Sequence, residues 1–204
     1  MRAFAVFLVV LLPLLSACST LSLPGNQQAH RTWQLAPETP LTMSLQRDAS
    51  LDIAPPTAVP GLATNAMAYR QRALERRYYA ANRWVKAPAQ LLHPVLVRVF
   101  EEAGVVSTVW ADNGAGRAQY RLQTQLLELE HDYRGSQAGQ GRVELRARII
   151  DNDRGTVLAT RRFQATAASD EPGPAGGARA INEALGDVLT DLVRWLPETI
   201  PERE

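Results

Sequence analysis

Hydrophobic and polar positions follow three different rhythms along this chain. Residues 4–15 are an almost unbroken apolar run, interrupted only by Pro13 and preceded by the positive Arg2. The run is short of the ~20 residues a membrane-spanning helix needs. It closes in small residues before a cysteine, the layout of a secretory signal peptide over residues 1–17. Residues 18–30 are polar and aperiodic and read as a flexible tether, with a reach of roughly 40 Å when fully extended.

Alternation of period two follows. Residues 31–35 predict a short strand stopped by Pro37 and Pro40. Residues 43–54 predict a second, in which Ser50, Asp52 and Ala54 alternate with Leu51 and Ile53. Pro55, Pro56, Pro60 and Gly61 impose a turn or irregular run. Residues 67–70 and 77–85 read as two short strands, with Tyr78, Ala80, Asn82 and Trp84 opposite Tyr79, Ala81, Arg83 and Val85; a helix through residues 74–81 is the competing reading. Beyond a β-branched stretch at 105–111 and a turn at 112–116, a meander of three strands is expected. In its first strand Tyr120, Leu122, Thr124 and Leu126 share a face before Leu127 and Leu129 change phase, the signature of a β-bulge. In its second, Val143, Leu145, Ala147 and Ile149 alternate with Arg142, Glu144, Arg146 and Arg148. A hairpin turn at 151–155 leads into the return strand, 156–167.

The third rhythm is helical. Leu91, Leu92, Val95, Leu96, Val99, Phe100 and Ala103 recur on one face, with Pro88 in the first turn and Gly104 at the stop. Pro94 either kinks this helix near His93 or starts its regular part. After a Gly/Pro-rich loop at 169–177, Ile181, Leu185, Val188, Leu189, Leu192 and Leu196 mark a helix over 178–196, ended by Pro197; residues 197–204 are a charged tail. The expected fold is α/β: one domain over residues 31–196, a mixed, largely antiparallel sheet packed with two long helices.

Charge narrows the function classes. Arg2 is one of 22 basic residues, so the chain beyond the leader sets 21 basic against 21 acidic residues. That balance argues against nucleic acid as a partner, since binding it needs a basic excess. Cys18 is the only cysteine, so no disulfide is available and stability rests on packing.

Candidate chemistry is thin. His30, His93 and His131 lack the spacing of a zinc signature, and no metal or cofactor is expected. The Asp151-Asn152-Asp153 turn places Gly155 one residue early for a calcium loop and suits hairpin chemistry better. Ser136 has only a distant histidine, and Glu101-Glu102 and Glu128 with Glu130 read as solvated charges. Trp84, beside Arg83 and ahead of Pro88, reads as an indole filling core space where a strand feeds a helix. No pattern here is an enzyme signature, which leaves binding.

Two resemblances sharpen that reading. Leu15-Ser16-Ala17-Cys18 resembles the bacterial lipobox, which implies cleavage before Cys18 and diacylglyceryl modification of its sulfur. Each buried methylene contributes roughly 0.8 kcal/mol, so two or three chains hold durably. Ser19 differs from the aspartate of inner-membrane retention, which points to the periplasmic face of the outer membrane. Further on, Trp33-Gln34-Leu35, the run Arg83-Trp84-Val85-Lys86-Ala87-Pro88-Ala89-Gln90-Leu91-Leu92, Tyr120-Arg121-Leu122-Gln123, Ile149-Ile150-Asp151 before Gly155-Thr156-Val157, and Arg162-Phe163 follow in order. This succession resembles the auxiliary lipoproteins of ABC-type transport systems, the PqiC-like group, although Trp33 stands where a tyrosine is expected. The resemblance implies an outer-membrane partner of an MCE-domain protein in a system moving phospholipids or other hydrophobic molecules between membranes, and it admits a homo-oligomer. An outer-membrane lipoprotein serving another envelope machine, such as peptidoglycan synthesis, is the alternative.

Overall fold

The computed structural model describes residues 30–39, 46–111 and 118–202. The elements, in chain order, are β1 (Arg31–Trp33), β2 (Arg47–Ile53), β3 (Thr57–Ala58), a 3-10 turn (Pro60–Leu62), β4 (Ala66–Arg72), β5 (Glu75–Trp84), α1 (Pro88–Ala103), β6 (Val106–Trp110), β7 (Tyr120–Asp132), β8 (Gln140–Asp151), β9 (Thr156–Ala168) and α2 (Pro174–Thr199). The predicted turn at 112–116 and the start of the second strand at 43–45 lie outside the described residues.

One strand organises the sheet. β7 pairs antiparallel with β8 along its whole length, and β8 with β9 in turn. Along its opposite edge β7 receives three parallel partners in succession: β2 at Tyr120 to Leu122, β3 at Gln125 and Leu126, β4 at His131 and Asp132. β2 extends to β6, β4 to β5, and β5 to β1, so the nine-stranded sheet branches and curls about β7. The expectation of antiparallel pairing holds for the long ladders β7–β8–β9 and for β4–β5; the joins made by β1, β2, β3 and β6 are parallel. α1 lies within the long connection that brings β6 back beside β2, as a parallel pair requires.

The bulge sits where the apolar phase changes. Register passes from Leu126↔Leu145 to Glu128↔Glu144, leaving Leu127 as the extra residue. Leu122, Leu126, Leu129, Val143, Leu145 and Ile149 consequently all point into the core. Both helices cover that face, burying Leu96 and Phe100 of α1 and Ile181, Leu185 and Leu192 of α2. Each such side chain contributes about 1.5–3 kcal/mol by leaving water. Trp84 is buried at the end of β5, as expected of a core indole.

One local expectation changes, and two alternatives the sequence leaves open are resolved. Residues 66–84 form a β-hairpin turning at Ala73 and Leu74, with no helix through 74–81. α1 runs unbroken through Pro94. α2 starts at Pro174 and continues through Pro197 to Thr199, rather than spanning 178–196. Close packing demands glycine in the first turns of this helix: a Cβ on Gly177 would lie 2.5 Å from His131 Nδ1. Pro197 is tolerated in the last turn, where its carbonyl accepts a hydrogen bond from Arg47 Nε (2.8 Å). On β8, a Cβ on Gly141 would lie 2.2 Å from the Ala180 carbonyl carbon, so α2 rests directly on the strand's backbone.

Candidate recognition surface

Alternation along β7, β8 and β9 separates an inner apolar face from an outer one dense in arginine. The outer face carries Arg121, Gln123, Gln125, Glu128 and Glu130 of β7, Arg142, Glu144, Arg146 and Arg148 of β8, and Arg162 of β9, the last directly opposite Arg146. Most of these charges are neutralised in pairs. Arg121 Nε lies 2.6 Å from Asp52 Oδ2, Arg162 Nη1 lies 3.1 Å from Glu144 Oε1, and Arg142 pairs with Glu128.

Glu128 and Glu130 are not the solvated carboxylates the sequence suggested. Glu130 is wholly buried, with Arg70 Nε 2.6 Å from Oε1 and Arg76 Nε 3.1 Å from Oε2. Only the Arg76 contact has the alignment of a hydrogen bond; the closer Arg70 contact is an ion pair. The β4–β5 hairpin brings both guanidiniums over the end of β7, so the buried carboxylate lies between two arginines. Next to it, Arg134 donates to both oxygens of Asp132, and those bonds hold that carboxyl below its ordinary pKa.

Arg146 and Arg148 stand apart from this pairing. Arg146 donates to Gln125 Oε1 and meets no carboxylate, while Arg148 has no partner among the described residues. Gln125 faces Arg146 and Gln123 faces Arg148 across the ladder. Together with Pro55 of the β2–β3 connection and Thr57 of β3, the four line a cleft of about 250 Å³. Two grooves flank residues 34–38 where these cross the helices. One, of about 590 Å³, lies against α2 near Asn182; the other, of about 510 Å³, lies against α1 at Leu91, Pro94 and Val95. Asn182 clamps the crossing segment, accepting from Ala36 N–H (2.7 Å) and donating to Gln34 O (3.2 Å).

His131 lies buried on the inner face between β7 and the start of α2. Its Nε2 donates to Ala138 O (2.8 Å), since a carbonyl only accepts, which leaves Nδ1 to accept from the Tyr79 hydroxyl at 3.0 Å. Tyr79 in turn accepts from Tyr133 (2.8 Å), whose oxygen receives the Gly173 N–H (2.9 Å). Burial holds His131 below the ordinary histidine pKa and pushes the Tyr79 phenol above its own. The chain is a structural clasp, because both imidazole nitrogens are occupied and the ring has no exposure.

The other sequence candidates are scattered. Leu15, Ser16, Ala17 and Cys18 lie outside the described residues, while His30 is exposed. His93 Nε2 donates to Ile53 O (2.9 Å), tying α1 to β2. Ser136 is exposed and has no hydrogen bond among the described residues, while Glu102 pairs with Arg98 along α1 (3.0 Å). Asp151 Oδ1 accepts from the backbone of Asp153 and Arg154 (both 3.0 Å), confirming hairpin chemistry there. The residues missed in the sequence are the Arg146, Arg148, Gln123 and Gln125 quartet. Arginine at alternate positions was visible, but only the register shows the glutamines opposite.

Among the described residues no helix is long and apolar enough to cross a membrane, and no group of three or more His, Cys, Asp or Glu could hold a metal. The fold is shared with protein XCC0632 from Xanthomonas campestris, 24% identical, over 82% of this chain and 95% of that one, at a TM-score of 0.75. A second solved structure, described as an uncharacterized protein, is 14% identical over 82% of this chain and 99% of its own, at a TM-score of 0.67. No curated protein sequence matches the chain. A family model described as ABC-type transport auxiliary lipoprotein component matches residues 33–193, from the last residue of β1 into the final turns of α2. With that match spanning both helices and the whole sheet beyond β1's first residues, the chain belongs to the family of ABC-type transport auxiliary lipoproteins.

Proposed function

We propose that this chain is the lipid-anchored, periplasm-facing component of an MCE-type ABC transport system, acting as a binding scaffold at the outer membrane in the movement of phospholipids between membranes. Residues 1–17 are removed, Cys18 carries the lipid, and residues 18–30 tether the folded body. The family match over residues 33–193 carries this reading. The lipobox residues Leu15 to Cys18 and the balanced charge support it. Occupied imidazole nitrogens at His131 and the dispersal of the remaining polar candidates favour recognition over catalysis.

Anchoring and partnership are tested separately. Cys18→Ala is expected to move the protein out of the outer-membrane fraction, and its continued presence there would end the anchoring claim. Pull-down of the wild-type chain from solubilised envelopes is expected to recover an MCE-domain protein. Recovery of peptidoglycan-synthesis proteins in its place would overturn the transport role while leaving the anchor intact. Native mass spectrometry of the same preparation reads whether the scaffold is a homo-oligomer.

A further inference from the structure

We infer that the outer-face cleft between β7 and β8 is a binding site for a phosphate group, clamped by Arg146 and Arg148. Charge pairing on this face supplies the first argument. Asp52 is taken by Arg121, Glu128 by Arg142 and Glu144 by Arg162, so the two cleft arginines are left without a carboxylate. They stand two residues apart on one strand, about 7 Å between Cα atoms, both half-buried and pointing the same way. Like charges held that close beside a partly dry wall repel one another until an anion lies between them.

Geometry supplies the second. Gln125 Oε1 accepts from Arg146, which fixes that guanidinium and leaves the glutamine's NH2 as a donor. Gln123 offers the same group opposite Arg148. Two guanidiniums and two amides therefore line one cleft from both strands. A carboxylate, with two oxygens in a plane, satisfies one arginine fork. A tetrahedral phosphate presents acceptors to both forks and to the amides. The cleft's 250 Å³ admits the phosphate together with a small ester substituent, lying against Ala54 and Pro55. The same chemistry is offered by a glycerophospholipid headgroup and by free phosphate. The site stands on the charge and register of the sheet, and holds or fails independently of the transport reading.

The test is 31P NMR line broadening with the full chain in a non-ionic detergent, using inorganic phosphate, glycerol 3-phosphate and dihexanoyl-phosphatidylglycerol as probes. All three are expected to broaden saturably. Loss of a charge-assisted hydrogen bond weakens binding about tenfold or more, so the Arg146→Gln/Arg148→Gln double variant is expected to lose at least that much. Arg83→Gln, an exposed arginine on β5, is expected to bind like wild type. Gln125→Glu sets a carboxylate beside the guanidiniums and is expected to abolish binding while retaining the wild-type melting temperature. Tighter binding of the lipid than of glycerol 3-phosphate assigns the site to a headgroup, and equal binding of all probes assigns it to phosphate itself. No broadening at tens of millimolar probe, or broadening unchanged in the double variant, overturns the proposal.

Discussion

Gly141→Ala tests whether α2 really rests on strand backbone. The new methyl carbon would lie 2.2 Å from the Ala180 carbonyl carbon and 2.3 Å from both Ala180 O and Ile181 N. Ordinary contact begins near 3.4 Å, so more than ~1 Å must be found, and none of the opposing atoms belongs to a movable side chain. β8 cannot retreat, because β7 and β9 hold Gly141 from both sides through its pairs with His131 and Ala167. The helix must therefore rise. A lift of that size costs Ile181 and Leu185 about a quarter to a half of their contact energy with the sheet. Overpacking costs typically ~1–3 kcal/mol, and a backbone-on-backbone clash belongs at the top of that range or above it. At ~2–4 °C per kcal/mol for a chain of this size, the melting temperature should fall by roughly 6–12 °C. Circular dichroism of the full chain in detergent reads the melt. Fluorescence of Trp195, whose ring meets Phe163 edge-on at 5.4 Å, reports the α2 interface. Gly135→Ala is the control, since nothing lies within 4 Å of its added Cβ. A Gly141→Ala protein within about 1 kcal/mol of that control would refute the reasoning.

Three further outcomes follow from the buried polar groups. Glu130→Gln keeps the volume but leaves Arg70 and Arg76 without their carboxylate, and should destabilise by about 3–5 kcal/mol in urea denaturation. Tyr79→Phe removes the donor to His131 Nδ1 and the acceptor of Tyr133, and should cost about 1–3 kcal/mol, read by thermal melting. Because burial depresses the His131 pKa, the unfolded chain takes up this proton first as pH falls. Its contribution to stability is therefore intact above about pH 6.5 and lost below it, by up to ~1.4 kcal/mol per pH unit, until the folded-state pKa is passed. His131→Gln should flatten that slope, which urea titrations at a series of pH values will show.

What was legible in the sequence was local. The bulge at Leu127 shows as a phase change, and the turn after β8 shows as an Asp-Asn-Asp run whose first carboxylate caps the backbone. The sequence predicts too short an α2 because Gly176 and Gly177 look like loop residues until His131, from β7, is seen against Gly177. Glu130 reads as solvated for a similar reason. Alternation assigns it to the outer face, but its partners arrive on a hairpin more than fifty residues upstream. The parallel joins of β2, β3 and β4 to β7 are likewise long-range, and no turn between neighbouring strands announces them. The arginine cleft needed the pairing of two strands. Sequence supplied the charges, and register supplied their neighbours.

The way β1 is attached decides what happens under load. Tension entering at residue 30 meets an edge strand of only three residues, held through Trp33 O to Val85 N–H (2.9 Å) and the Trp33 indole to Asn82 (3.1 Å). Peeling these away extends the chain by about 10–15 Å before strain arrives at the Asn182 clamp and the buried Leu35. The body behind that clamp keeps its shape. β1 is the part of the sheet that yields first when the chain is pulled from this side.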